Sequence, residues 1–147
     1  MRNYDRVSNW LKVAGKEPSG ETFSVQSGVM IEEMAEFFES VRFVDHLDGN
    51  IALQIAAEIL HKIGNELKKN GRQLGTMDRV ACLDALCDID VTLNGVAFLA
   101  GFDKNGADDA VLDSNDSKFE DGKAVILPGG KIGKGKNYVE PDLTPFV

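Results

Sequence analysis

Three glutamates lie close together in the first half of the sequence. Glu32 and Glu36 are four residues apart, and Glu33 and Glu36 are three apart. These spacings bring side chains together on one side of an α-helix. Clustered carboxylates can bind a hard divalent cation or take part in proton transfer, although a glutamate run alone is more typical of a solvated helix face.

Two aspartates, Asp84 and Asp88, stand in an otherwise apolar segment. A buried carboxylate is costly and is seldom kept without a partner. If this segment packs against the glutamates, like charges about 4 Å apart would repel strongly even at an effective dielectric constant of about 20. Neither cluster contains a lysine or arginine, so we expect a bound cation. All-oxygen ligands favour Mg²⁺, with Mn²⁺ also possible.

Hydrophobic residues repeat at helical spacing in the segments that carry these acids. The pattern predicts helices over residues 3–14, 24–44 and 51–69, with Ser24 as the N-cap of the second. A fourth helix is predicted from a Thr76 cap to about residue 100, and a shorter one over 105–116. The fourth is apolar nearly all round, which is typical of a central, buried helix. The sequence therefore predicts an all-α bundle of four long helices and one short one.

The C-terminal segment, 119–147, is rich in glycine and lysine and is predicted to be irregular, in contrast to the helical body, 1–118. Pro128-Gly-Gly between the apolar stretch 124–127 and Lys131-Ile132 predicts a small hairpin or loop. From Lys118 to Tyr138 five lysines stand against two acids, which gives about +3 there and about −11 elsewhere. The chain thus combines an acidic body with a basic tail.

Length and composition limit the classes of protein to consider. With 147 residues, 43% hydrophobic and 27% charged, the chain is expected to form a single globular domain. Its net charge of −8 argues against nucleic acid or anionic membranes as partners. It has no apolar run of roughly 18 residues, so the expected location is cytoplasmic. Cys82 and Cys87 are placed too far apart on one helix to form a disulfide, as expected in a reducing compartment.

Four motifs in this order carry a resemblance to a known family. They are Met-Ile-Glu-Glu-Met-Ala-Glu at 30–36, Leu-Asp-Ala-Leu-Cys-Asp at 83–88 with its apolar continuation to Gly95, Ser-Asn-Asp-Ser-Lys at 114–118, and the segment 134–143. Together they resemble the MazG-like all-α nucleoside triphosphate pyrophosphohydrolases. The similarity is greatest to the short phage and bacterial proteins of the phosphoribosyl-ATP pyrophosphohydrolase-like type.

Two features depart from the family pattern. The second family motif is commonly Glu-x-x-Asp, whereas position 85 here is alanine. Either Asp84 replaces the missing acid one residue earlier, or the site has one ligand fewer. The interval between the two acidic motifs also contains the third predicted helix, which could be an additional interface helix.

The resemblance implies hydrolysis of a (deoxy)nucleoside triphosphate between the α and β phosphates, giving the monophosphate and pyrophosphate. Glu33, Glu36, Asp84 and Asp88 would bind Mg²⁺. Glu32, or one of the ligands Glu33 and Glu36, would orient or deprotonate the attacking water.

The resemblance also implies a set of substrate-binding residues outside the acidic motifs. Asn115 and Lys118 match a phosphate-contacting position, and Lys134, Lys136 and Tyr138 match a segment expected to close over the nucleotide. Because a triphosphate carries about four negative charges, lysines can neutralise the oxygens that the metal leaves uncovered.

Other interpretations remain open. The chain could be a phosphoribosyl-ATP pyrophosphohydrolase, or a catalytically silent nucleotide-binding protein of the same fold. Apolar surface on helices 2 to 4 predicts a homodimer or homotetramer. Trp10 is expected in the core rather than against a base. The pair Glu58 and His61 is only half of a di-iron motif, and His46 is expected in an exposed loop.

Overall fold

The computed structural model describes residues 3–128 and 131–147, and these form two compact units. We call Pro18–Gly75 the hairpin unit, and Met1–Glu17 together with Thr76–Val147 the terminal unit. The all-α prediction is confirmed. The elements are α1 (Asn3–Val13), α2 (Gly20–Ser40), α3 (Leu47–Leu67), α4 (Arg79–Ala100), α5 (Lys104–Asp116) and a 3-10 turn (Thr144–Phe146).

The hairpin unit consists of α2 and α3, which pack in antiparallel directions through small residues. Gly28, Ala35, Ala57 and Gly64 are buried between them. A Cβ atom added to Gly28 would lie 2.7 Å from the carbonyl oxygen of Gly64. The two backbones therefore approach closely, which only residues without large side chains permit.

The start of α2 differs from the prediction. The helix begins at Gly20 and is capped by Ser19, whose hydroxyl accepts a hydrogen bond from the Thr22 backbone N–H while the Thr22 hydroxyl accepts from the Ser19 N–H. Ser24 is inside the helix, where its buried hydroxyl donates to the carbonyl of Leu67 at 2.8 Å. The predicted N-cap at Ser24 was wrong because a serine bonded to a neighbouring helix resembles a capping serine in sequence.

The loop before α3 is closed by side-chain hydrogen bonds. The Asn50 amide accepts from the backbone N–H of Phe43 and donates to its carbonyl, at 2.9 and 3.1 Å. His46 is exposed, as predicted, and Nδ1 accepts from the Gly49 N–H at 2.7 Å. His46 is thus the N-cap of α3, which begins four residues earlier than the hydrophobic pattern indicated.

In the terminal unit, α1 is attached to α5 by polar contacts. Arg6 donates to Asp113 at 2.7 Å and to Asp116 at 3.0 Å, and Asn3 donates to Asp108 at 2.8 Å. The hydrogen bonds to Asp113 and then Asp116 raise the pKa of Arg6 above its usual value. The aspartates of α5 therefore have a structural role in holding α1.

The last residues form a strap along α5, which we define as 139–146. The Ser114 hydroxyl donates to the carbonyl of Val139 at 2.7 Å, and the Ser117 hydroxyl accepts from the Val139 N–H at 2.9 Å. At the other end, the Asp103 N–H donates to the carbonyl of Phe146 at 2.9 Å. The strap therefore runs antiparallel to α5 and is anchored near both of its ends.

A short antiparallel pairing precedes the strap. Ile126 and Ile132 form a bridge, and the Leu127 N–H donates to the carbonyl of Lys131 at 2.8 Å. These contacts support the predicted hairpin. Gly129 and Gly130, which the sequence predicts to be in the turn, lie outside the described residues.

The fourth helix begins later than predicted and is exposed. Asp78, rather than Thr76, caps it by accepting from two backbone N–H groups. The exposed fractions of Leu83, Val91 and Phe98 are 63%, 69% and 80%. The expectation of a buried central helix was wrong for the described chain, because an apolar sequence predicts that a helix will be covered but does not say by what.

No single helix of the described chain is both long and apolar enough for a membrane span; α4 and α5 pass such a test only as a pair, with a bend of 116° between them.

Candidate functional site

The three glutamates of the first acidic motif lie on α2 in the hairpin unit. Glu33 and Glu36 are exposed, whereas Glu32 is partly buried beside α3. The three carboxylates therefore differ in exposure although they lie within about one helical turn of each other. Glu33 and Glu36 are thus in contact with solvent.

Glu32 has a cationic partner that local sequence inspection missed. Lys68, the residue that follows α3, donates to Glu32 Oε2 from Nζ at 2.7 Å. The expectation that no lysine offsets the glutamate charge is therefore wrong for this member of the cluster. No sequence motif links Lys68 to Glu32. The contact follows from the packing of α3 on α2, in which the Ser24 hydroxyl donates to the Leu67 carbonyl.

Asp84 and Asp88 are exposed side chains on α4, in the terminal unit. They lie one turn apart on the same helix face, and Ala85 stands between them without an acid to contribute. Among the described residues, no group of three or more His, Cys, Asp or Glu side chains is placed to hold a metal ion. The combination of the α2 and α4 carboxylates stays a prediction.

The residues predicted to bind substrate lie together at the end of α5, and we call them the lysine locus (Asn115, Lys118, Lys134, Lys136 and Tyr138). The Lys118 ammonium donates to Asn115 Oδ1 at 2.7 Å. The Lys134 ammonium lies 4.4 Å from the centroid of the Tyr138 ring, a distance typical of a cation–π contact.

Gly135 joins the two halves of the lysine locus. Its N–H donates to the carbonyl of Lys118 at 3.2 Å, and a Cβ atom at this position would lie 2.7 Å from that same oxygen. The Lys136 N–H donates to Glu120 Oε1. A glycine is needed at 135 because the backbone of the tail lies directly against the end of α5.

Trp10 borders the lysine locus. Its indole N–H donates to the carbonyl of Asn115 at 2.9 Å, and its ring stacks on Phe119 with centroids 5.5 Å apart. The Lys118 ammonium lies 5.8 Å from the Trp10 ring centroid. Trp10 is partly buried, and these contacts give it a packing role that positions Lys118. The pairing with Phe119 was not foreseen, since the two residues are over a hundred positions apart.

His61 has a contact that differs from the di-iron pattern. Its Nε2 lies 2.9 Å from Oε1 of Glu39 on α2. Histidine and glutamate thus link α2 to α3 in the hairpin unit. This contact favours a structural role for His61.

No family model, curated protein or solved structure matches the chain. Only the side chains therefore indicate what chemistry the chain can perform. Exposed pairs of carboxylates on α2 and α4 are oxygen donors suited to a hard cation. The lysine locus offers ammonium groups and an amide suited to phosphate oxygens.

Proposed function

We propose that the protein is an Mg²⁺-dependent nucleoside triphosphate pyrophosphohydrolase similar to the MazG-like all-α enzymes. It hydrolyses a (deoxy)nucleoside triphosphate between the α and β phosphates, releasing the monophosphate and pyrophosphate.

The lysine locus is the observation that supports the proposal most. The family resemblance alone implies that two separate motifs, 114–118 and 134–138, bind the substrate. They lie against each other through the contacts of Lys118 with Gly135. Three lysines in one neighbourhood of an otherwise acidic chain provide a site for a polyanion.

The metal ligands in this proposal are Glu33, Glu36, Asp84 and Asp88. Their all-carboxylate character fits Mg²⁺ and equally Mn²⁺, and the bound ion would neutralise phosphate oxygens that carboxylates cannot approach directly. Glu32 or one of the ligands orients the attacking water and accepts its proton. Lys118, Lys134 and Lys136 bind the remaining phosphate oxygens.

The proposed assembly is a homodimer or homotetramer. It is supported by the exposed apolar side chains of α4, together with the isoleucines Ile51, Ile55, Ile59 and Ile63 of α3, whose exposed fractions are about half. Exposed apolar helix faces of this kind are typical of subunit interfaces.

The activity test is incubation of the purified chain with each canonical and each deoxy nucleoside triphosphate in the presence of Mg²⁺. Chromatography separates monophosphate from diphosphate, and pyrophosphate is assayed in parallel. We expect monophosphate and pyrophosphate in equal amounts, abolished by EDTA and reduced about 10²-fold or more in Glu36→Gln. Glu58→Gln, an exposed glutamate on α3, is the matched control and should retain activity.

The alternatives give different results when phosphoribosyl-ATP is added as a substrate and triphosphate binding is measured in parallel. Turnover of phosphoribosyl-ATP without any triphosphate turnover would indicate the histidine-pathway reaction. Triphosphate binding without turnover would indicate a silent nucleotide-binding protein, which the alanine at position 85 favours. Release of diphosphate and orthophosphate would overturn the proposal.

A further inference from the structure

The outer face of α3 carries a row of isoleucines. Ile51, Ile55 and Ile59 are four residues apart, which places them on one side of the helix. Each is about half exposed. On the opposite side, Ala57 and Gly64 are buried where α3 packs against α2. The helix therefore has one face covered by α2 and a second apolar face that is open to solvent.

A charged residue stands at each end of this row. Asp48 and Lys62 both lie seven residues from Ile55, one before it and one after it. Seven residues are almost two helical turns, so both side chains lie on the same face as Ile55. Both are exposed. The open face of α3 therefore has an acid at one end, a base at the other and isoleucines between them.

This arrangement is complementary to itself under a twofold rotation. When a second copy of α3 lies antiparallel with Ile55 at the centre, Ile51 faces Ile59 of the second copy, and Asp48 faces Lys62. Each of these pairs occurs twice. A parallel arrangement would instead bring Asp48 against Asp48 and Lys62 against Lys62, and like charges repel. The charges therefore favour the antiparallel orientation.

The same charges favour one register. A pairing centred two residues later, at Ala57, would place Asp48 opposite Glu66 and would leave Lys62 opposite Ala52. Opposed acids disfavour an interface, whereas opposite charges at its rim favour the matching orientation. The register centred on Ile55 is therefore preferred.

We propose that the open face of α3 binds the same face of a second copy of this chain, antiparallel and centred on Ile55. The isoleucines supply the apolar contact, and the two pairs of Asp48 with Lys62 set orientation and register. This pairing rests on the oligomer of the proposed function, for which it names a surface and a register. It is independent of triphosphate hydrolysis.

The first test is disulfide cross-linking of the full chain, with Cys82 and Cys87 replaced by serine. Two helices packed about 8–10 Å apart bring facing Cα atoms within about 4–5 Å, which a disulfide can span. Under oxidation by copper phenanthroline, Ile55→Cys should give about tenfold more covalent dimer than Ile59→Cys. Ile59→Cys is the matched control, because it is equally exposed but its two copies would be about 12 Å apart along the helix axes.

A mixed cross-link tests the register. Chains carrying Ile51→Cys and chains carrying Ile59→Cys, in the same serine background, are exchanged and then oxidised together. We expect a covalent heterodimer from the mixture and little covalent dimer from either variant alone, because these two positions face each other only between copies.

The charges are tested by sedimentation equilibrium. Lys62→Glu should weaken association about tenfold, because it places a second acid opposite Asp48 at both ends of the interface. Adding Asp48→Lys to Lys62→Glu reverses both charges and should restore the wild-type association. Lys12→Glu makes the same change of charge on α1 and is the matched control, which should leave association unchanged.

The outcomes separate this pairing from the rest of the proposed function. A wild type that is monomeric at micromolar concentration overturns both the oligomer and the pairing. If the wild type is oligomeric but Ile55→Cys cross-links no better than Ile59→Cys, another surface joins the copies and only the pairing is wrong. If Ile55→Cys cross-links as expected and no triphosphate is hydrolysed, the pairing stands and the proposed activity falls.

Discussion

At the scale of single residues, several acids of this chain hold neighbouring helices together. Arg6 engages Asp113 and Asp116, and Lys68 engages Glu32. These carboxylates support the packing of helices. Glu33, Glu36, Asp84 and Asp88 lie exposed on α2 and α4, and the proposed function assigns them to a cation. The acidic composition of the chain therefore does not by itself identify a functional acid.

Glu66 provides a pH-dependent test at this scale. Its carboxylate accepts from Lys69 and Arg72, and these hydrogen bonds lower its pKa from the usual 4.5. A lowered pKa in the folded state means that the contribution to stability is complete above pH 4.5 and is lost as the pH falls through the lowered pKa. We expect Glu66→Gln to be less stable than the wild type in urea unfolding at pH 7, by a small margin because the pair is exposed.

At low pH the same comparison should give a different result. Below the lowered pKa of Glu66 the wild type and Glu66→Gln should have equal free energies of unfolding. A difference that stays constant from pH 7 to pH 3 would show that the glutamine disturbs the end of α3 for another reason.

At the scale of helices, periodicity predicted which segments are helical, but side-chain caps determined where they start. Five helices were expected and five are present in the described chain. The start of α2 was misplaced by four residues because Ser19 and Ser24 are both plausible caps, and only contact with α3 distinguishes them. A sequence pattern can indicate hydrogen bonds between residues close in the chain. A contact between two helices depends instead on how the helices are aligned with each other.

The sequence also drew attention to the motifs containing Lys118 and Lys134, which contact each other through Gly135. Their role in substrate binding stays a prediction. Lys68 was missed because it is 36 residues from Glu32, and no motif links them. A partner residue on a neighbouring helix can be recognised only when the position of that helix is known.

Gly28 tests the close approach of α2 to α3. An alanine there would place Cβ 2.7 Å from the Gly64 carbonyl oxygen, so the helices must separate. We expect Gly28→Ala to lower the free energy of unfolding by about 1–3 kcal/mol, measured by urea denaturation. Gly75→Ala is the control, because a Cβ at that position meets nothing within 4 Å. If Gly28→Ala were as stable as the wild type, the described packing of the hairpin unit would be incorrect.

At the scale of the whole molecule, the main feature is the exposure of α4. Leu86, Ile89, Leu93 and Val96 recur at alternating spacings of three and four residues, and their exposed fractions lie between 41% and 51%. This spacing is typical of a helix that packs along another helix. We therefore attribute the stripe to the subunit interface of the proposed oligomer.

A charge in that stripe should weaken the assembly. We expect the wild type to sediment as a dimer or tetramer at micromolar concentration, and Leu93→Glu to shift it towards the monomer, because a buried unpaired carboxylate opposes association. Asp90→Lys, a change of charge outside the stripe, is the control. A wild type that sediments as a monomer at micromolar concentration would contradict the oligomer.

The central proposal is that Glu36 and Asp88 both serve one catalytic cation, as the family resemblance implies. Its most direct test is a double-mutant cycle on kcat/KM for Mg²⁺-dependent pyrophosphate release, comparing the wild type, Glu36→Gln, Asp88→Asn and the double variant. Residues that act as one unit are strongly non-additive. We predict that each single substitution lowers kcat/KM about 10²-fold or more and that the double variant is scarcely worse than either. Full activity in either single variant, or losses that simply multiply in the double variant, would contradict a shared site.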